Sequence, residues 1–414
     1  MEHFHNLCQI LSSTYQEEPL SALIKTFTDA DWLAIVNLSK GHRISPILYD
    51  RLNALKDQVD IPESVVKKLR QDYLLTAARN TSFFHEGEII LAKFSASGIP
   101  IIVLKGLYLV EEVYQNAALR SMSDLDFLVK KSDIPSAIDG LKELGYHVTT
   151  YFNPEDENAD LKHVPPFIKG DGLFIELHWT ILEEDEPFDI DTTGMWERAQ
   201  PAKILDLDVL SLSLEDLILH LSIHFTYQHQ MIYGLRGLYD IALVLERYKD
   251  GVDWRTLVKR AKAWGCGRVI SLTLHMLEEF LNVSIPDHVY SELTKQPLTE
   301  EILSQARGQL MKKGDFAVKV TPDLASLSKD VSALEKLKII FKRIALPKRT
   351  MARLYNVEPG SLKLYLYYPV RFYQLVKQYA ASAWQILIKK QDALSSSSRV
   401  QSVIALKEWL GGRE

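Results

Sequence analysis

Asp124 and Asp126 stand two residues apart in the run Ser123-Asp124-Leu125-Asp126-Phe127-Leu128-Val129, and this run constrains the fold more than any other. Its apolar residues predict a strand over 124–130. Alternation then sends both carboxylates to one side and Leu125 and Phe127 to the other. Two like charges on one face repel, a cost that a cation between them removes. Hard divalent ions such as Mg²⁺ suit oxygen-rich sites of this kind.

Upstream, Gly98-Ile99-Pro100 breaks a helical pattern and opens a predicted strand over 101–104. That strand ends in Lys105-Gly106, ahead of a helix-like stretch over 107–115. Glycine at a strand-to-helix turn lets backbone N–H groups approach a phosphate. Phosphate cradle and paired carboxylates together point to nucleotide chemistry.

The alternation continues downstream. A helix is expected from Ile134 to Leu144, with Gly145 as its stop and a third strand over 146–151. Residues 153–172 read as a long polar loop, of the length that usually carries function. A fourth strand is expected over 173–179, with Glu176 and His178 on one face and Ile175, Leu177 and Trp179 on the other. A lone acid among apolar residues is costly unless that face lines a site. Glu176 is thus the best candidate for a third metal carboxylate beside Asp124 and Asp126. Lys105 and Arg120 supply charge for a triphosphate or pair with the neighbouring acids.

The remainder reads as helix. Segments over 32–38, 47–52 and 61–96 precede the strands, and helices resume at Ser213. His220 and His224, four apart on a helix, have the spacing of a zinc pair but lack the Glu after the first His. Packing against the sheet, or a substrate contact, is the better expectation for them. Residues 183–191 form an acidic, hydrated loop, and Ser395–Ser398 a short connector. The expected class is α+β: a small mixed-sheet core over 98–210, helical regions over 1–97 and 211–310, and a basic helical region over 311–414.

Bulk numbers exclude several functions. Net charge is −6, against a general nucleic-acid binder. Yet 16 Lys+Arg face 5 Asp+Glu between Met311 and Lys390, a local excess of +11. Cys8 and Cys266 fit no metal or disulfide spacing, and the chain's start has no basic-then-apolar leader, so a reducing cytoplasmic setting is expected. No apolar run of about 18 residues predicts a membrane span. The aromatic stretch Tyr365–Tyr373, with Trp384–Leu387 beyond it, is expected as core, with peripheral membrane or partner contact as the rival reading.

Hydrophobic-Lys-Gly, a helix, then Arg120-Ser121-Met122-Ser123-Asp124-Leu125-Asp126-Phe127-Leu128-Val129 resembles the nucleotidyltransferases of the polymerase-β-like superfamily. The nearer likeness is to its group of uncharacterised nucleotidyltransferases, which share the Glu176-Leu177-His178-Trp179 strand and the His220/His224 helix. The resemblance is strongest over 98–245. It implies metal ligation by Asp124, Asp126 and Glu176, nucleotide binding by Lys105, Gly106 and Arg120, and a substrate or supporting role for His178 and His224. It further implies Mg²⁺ (or Mn²⁺), a nucleoside triphosphate, and a small molecule, glycan or peptide as acceptor. Asp240 matches a family-typical acid whose role stays open. Two rivals stay open, the second supported by two departures, Leu107 after Gly106 and the 17 residues between Gly106 and Asp124. One is a protein-modifying, AMP-transferring enzyme and the other a non-catalytic nucleotide-binding scaffold. No nucleic-acid partner is expected.

Overall fold

Alternating apolar residues build a mixed seven-stranded sheet: β1 Ile102–Leu104, β2 Asp124–Leu128, β3 His147–Val148, β4 Phe167–Lys169, β5 Leu173–His178, β6 Gln200–Ile204 and β7 Leu207–Ser211. The strand order is β3-β4-β5-β2-β1-β7-β6. The computed structural model describes residues 1–12, 17–150, 152, 161–170, 172–311, 346–387 and 402–412. β2 runs antiparallel to β1 and parallel to β5, with Asp126 opposite Leu104 on one side and Glu176 on the other.

One sheet face is dry. Leu125, Phe127, Ile175 and Leu177 are fully buried, each contributing about 1.5–3 kcal/mol of apolar burial. The 34-residue helix Glu63–Ala96 covers this face, its Phe94 meeting Phe127 edge to face at 6.3 Å. At Gly87 the helix faces Leu107, Leu205 and Leu125, where a Cβ would find ordinary packing contacts. Asp124, Asp126, Glu176 and His178 alternate onto the other face.

Several elements differ from the sequence reading. The helix expected over 107–115 is one α-turn, Lys105–Tyr108, followed by a π-helical turn, Leu109–Tyr114. The third strand keeps only His147–Val148, and the loop expected over 153–172 contains β4. The β6–β7 hairpin was not anticipated. Its two-residue turn, Leu205-Asp206, has both φ angles positive (54° and 61°), the geometry that normally calls for Asn-Gly. Glu111 stabilises it by accepting from the Leu205 N–H at 2.8 Å.

Beyond the sheet, helix Leu214–Ser222 starts from Ser213, whose hydroxyl accepts from the Asp216 N–H. It runs into a second π-helical turn, Ile223–Gln228. Helix Leu235–Arg247 begins after Gly234, at φ 63°, where a Cβ would lie 2.2 Å from His42 Nδ1. Only glycine meets both conditions.

Contacts divide the chain into two units, Met1–His147 with Asn158–Asp315 and Leu410–Glu414, and Val148–Glu157 with Phe316–Trp409. In the second, helices Lys348–Tyr355 and Lys363–Leu387 bury Met351, Ala352 and Leu364. The aromatic stretch splits. Tyr367 and Tyr368 pack on that small core, whereas Tyr365, Leu366, Phe372 and Tyr373 are exposed. Much of the basic segment, the Ser395–Ser398 connector and the Trp384–Leu387 side chains lie outside the described residues.

Candidate active site

Lys105 closes β1 in the left-handed region, at φ 42°. That conformation costs a non-glycine residue about 1 kcal/mol or more. It turns the buried side chain back across β2, where Nζ donates to Asp126 Oδ1 at 2.9 Å. The neighbouring Gly106 has no such φ. A Cβ there would meet only ordinary contacts, 3.4 Å from Arg120 Nη1 and Met122 Cγ.

β5 delivers the second half of the site through its register with β2. His178 Nε2 lies 3.0 Å from Asp126 Oδ1 and 3.1 Å from Glu176 Oε2, so one ring N–H serves two carboxylates. Ligand atoms of Asp126, Glu176 and His178 all lie within 4.8 Å of one another. Asp124 accepts from the Ser123 hydroxyl at 3.0 Å and lines the same cavity, of about 280 Å³.

Arg120 lines this cavity too, but its fork is engaged. Nε and Nη2 donate to the two oxygens of Asp240 at 2.8 and 2.9 Å, and the Tyr114 hydroxyl adds a third bond to Asp240 at 2.8 Å. Asp240, whose role the sequence left open, is the buried counter-charge of Arg120. His224, on the second π-turn, faces the cavity with its Nε2 3.0 Å from that of His229. His220 sits behind it, buried, its ring 6.1 Å from that of His224.

Electrostatics separate the acids. Burial raises Asp124, and the Asp126 charge adds to it, bringing its pKa up to about 6. Burial would also raise Asp126, but the Lys105 ammonium and the His178 hydrogen bond hold it well below the usual carboxylate range. Glu176 follows the same pattern more weakly: burial, its largest influence, is outweighed by the His178 hydrogen bond together with the charges of His178 and His163. Lys105 stays firmly charged, its desolvation offset by Asp126, Asp124 and Glu176. Burial, reinforced by the Lys105 charge, brings His229 down to about 4, and burial with His178 does the same for His163.

Converging carboxylate oxygens and an adjoining cavity are a donor set that fits a hard divalent cation, with His178 orienting the acids. The raised Asp124 fits this, since burial and the neighbouring Asp126 charge both favour its neutral form until a cation arrives. Lys162, His163, His229, Tyr233 and Arg236 also line the cavity and escaped the sequence reading. Lys162 and His163 come from the long polar loop, whose length was their only signal. The others reach the site by tertiary packing alone.

No curated protein matches the chain. A family model described as uncharacterised nucleotidyltransferase matches residues 28–282, which include all seven strands and each residue of the cavity. The chain therefore belongs to the uncharacterised nucleotidyltransferase family.

Proposed function

We propose that this protein is a Mg²⁺-dependent nucleotidyltransferase that moves a nucleoside monophosphate from a nucleoside triphosphate to a hydroxyl of a small molecule, glycan or peptide. The observation that carries this reading is the meeting of Asp126, Glu176 and His178, with Lys105 beside them, where Asp126, Glu176, Lys105, Asp124 and Gly106 line one cavity. Family membership supports nucleotidyl transfer in general.

Asp124, Asp126 and Glu176 would hold one or two Mg²⁺ (or Mn²⁺) ions, which supply charge neutralisation and Lewis-acid activation at the α-phosphate. Lys105 contributes a positive point charge toward the triphosphate, and Gly106 leaves room for it. Arg120, engaged with Asp240, adds its charge and its free Nη1 edge from the cavity wall. The acceptor oxygen forms a bond to the α-phosphorus as the α–β bridging P–O bond breaks and pyrophosphate leaves. Glu176 takes the acceptor's proton, and His178, hydrogen-bonded to it, keeps its carboxylate oriented.

Titration calorimetry with Mg²⁺ and each nucleoside triphosphate tests the reading. Binding that Asp126→Ala removes is expected. Absence of binding in the unaltered protein overturns it.

A further inference from the structure

Arg236 is buried, at 8% exposure, on the wall of the cavity, and its nearest acid, Asp240, is already engaged by Arg120. Its Nη1 donates to the Ser121 carbonyl at 3.0 Å, its Nε has no partner, and among the described residues no carboxylate pairs with it. Burying a guanidinium this way is costly until an anion arrives. The ring of Tyr233 lies under two guanidiniums, that of Arg236 at 5.6 Å and that of Arg43 at 5.1 Å. Stacking holds both forks in place with their N–H edges available. Arg43 itself has a left-handed backbone, φ 56°, just past helix Asp29–Gly41.

Ser121 lines both the cavity and a neighbouring groove of about 300 Å³, whose wall includes Lys40, Arg43 and Arg79. Lys40 is paired with Asp72 at 3.4 Å, while Arg43 and Arg79 have no carboxylate partner among the described residues. Three unpaired guanidiniums thus run from the cavity, past Ser121, onto the helical region that precedes the sheet.

We propose that this strip is the acceptor subsite and that the acceptor is a phosphorylated small molecule, its phosphate on Arg43, Arg79 and Arg236 and its hydroxyl in the cavity. The assignment rests on the nucleotidyl-transfer reading. A phosphate dianion matches several forks that present paired donors, as one carboxylate does not. Arg43 and Arg79 line the groove beyond Ser121, which Lys105 and Gly106 do not reach, while Arg236 joins that groove to the cavity.

Calorimetry on the full chain tests the proposal, with inorganic phosphate, glucose 1-phosphate and glucose as probes, and separately a non-hydrolysable ATP analogue with Mg²⁺. Arg43 and Arg79 are exposed, so Arg43→Gln with Arg79→Gln leaves the fold intact. The expected result is that both phosphates bind and glucose does not. The double substitution weakens the phosphates at least tenfold and changes the analogue's affinity less than twofold. Phosphate binding that is absent, or unmoved by the substitutions, overturns the strip. A parallel loss of analogue affinity assigns the strip to the triphosphate and overturns the acceptor role. Phosphate bound at the strip without any binding of the analogue overturns the nucleotidyl-transfer reading instead, and so separates the two failures.

Discussion

Asp124 and Asp126 share a strand and a face, yet their surroundings make them different acids. Asp126 has Lys105 and His178 as partners, while Asp124 has a serine hydroxyl and the charge of Asp126. A carboxyl whose native pKa is about 6 and whose unfolded pKa is 3.8 holds its proton more tightly when folded. It therefore favours the fold at low pH, and that contribution fades as pH rises from about 4 through 6. Above pH 6 the charged form opposes folding by about 1–2 kcal/mol, after allowance for its partial exposure. Without divalent metal, Asp124→Asn is expected to melt a few degrees above the unaltered protein at pH 7, with the gap closing toward pH 4. Thermal denaturation across that range measures it, and an unchanged Tm at pH 7 would refute the raised pKa. Added Mg²⁺ is expected to stabilise the unaltered protein and to leave the variant's advantage smaller or reversed.

The helix Glu63–Ala96 does more than cover the sheet. Asn80, fully buried in its middle, donates to the Ala117 and Arg120 carbonyls at 2.6 and 2.7 Å and accepts from the Met122 N–H at 3.2 Å. Three backbone groups of the loop that leads into β2 depend on one side chain. Asn80→Ala leaves them unpaired in the interior, an expected loss of about 3 kcal/mol read by denaturant titration. Asn80→Asp, which keeps the acceptor but loses the donor, is expected to cost a comparable amount. At this scale the sequence was legible where periodicity was strong. β1, β2, β5 and the long helix fall where their apolar patterns predict. It was illegible where tertiary contacts set the backbone. Leu205-Asp206 carries no hairpin signal, and its turn is held by Glu111 from a distant segment. The π-turns at Leu109–Tyr114 and Ile223–Gln228 also have no periodic signature, because one extra residue per turn looks locally like ordinary helix. Asp124, Asp126, Glu176 and His178 could be read early because alternation alone aims them. Arg236 could not, because Gly234 and His42 decide where its helix begins.

Across the first unit, one sheet face is packed dry and the other carries the titratable groups, so ligand binding and folding are coupled through the same strands. Three carboxylates and several cations are held in one cavity: Asp124 is raised by burial and then by the charge of Asp126, and Arg236 is lowered to about 10 by burial and the charge of Arg120. A magnesium–nucleotide complex brings a dication to the carboxylates and phosphate oxygens to Lys105. It should therefore stabilise the whole unit rather than a single loop, by about 2.7 kcal/mol at a concentration one hundred times Kd. Differential scanning calorimetry is expected to show a rise in Tm that needs both the metal and the nucleoside triphosphate. Asp126→Asn tests the coupling. It removes the charge that Lys105 and His178 hold in place, and the expected result is a variant that still melts cooperatively but no longer responds to magnesium and nucleotide. A rise in Tm equal to that of the unaltered protein would show that the nucleotide binds away from β2, and the mechanism built on Asp126 would fall with it.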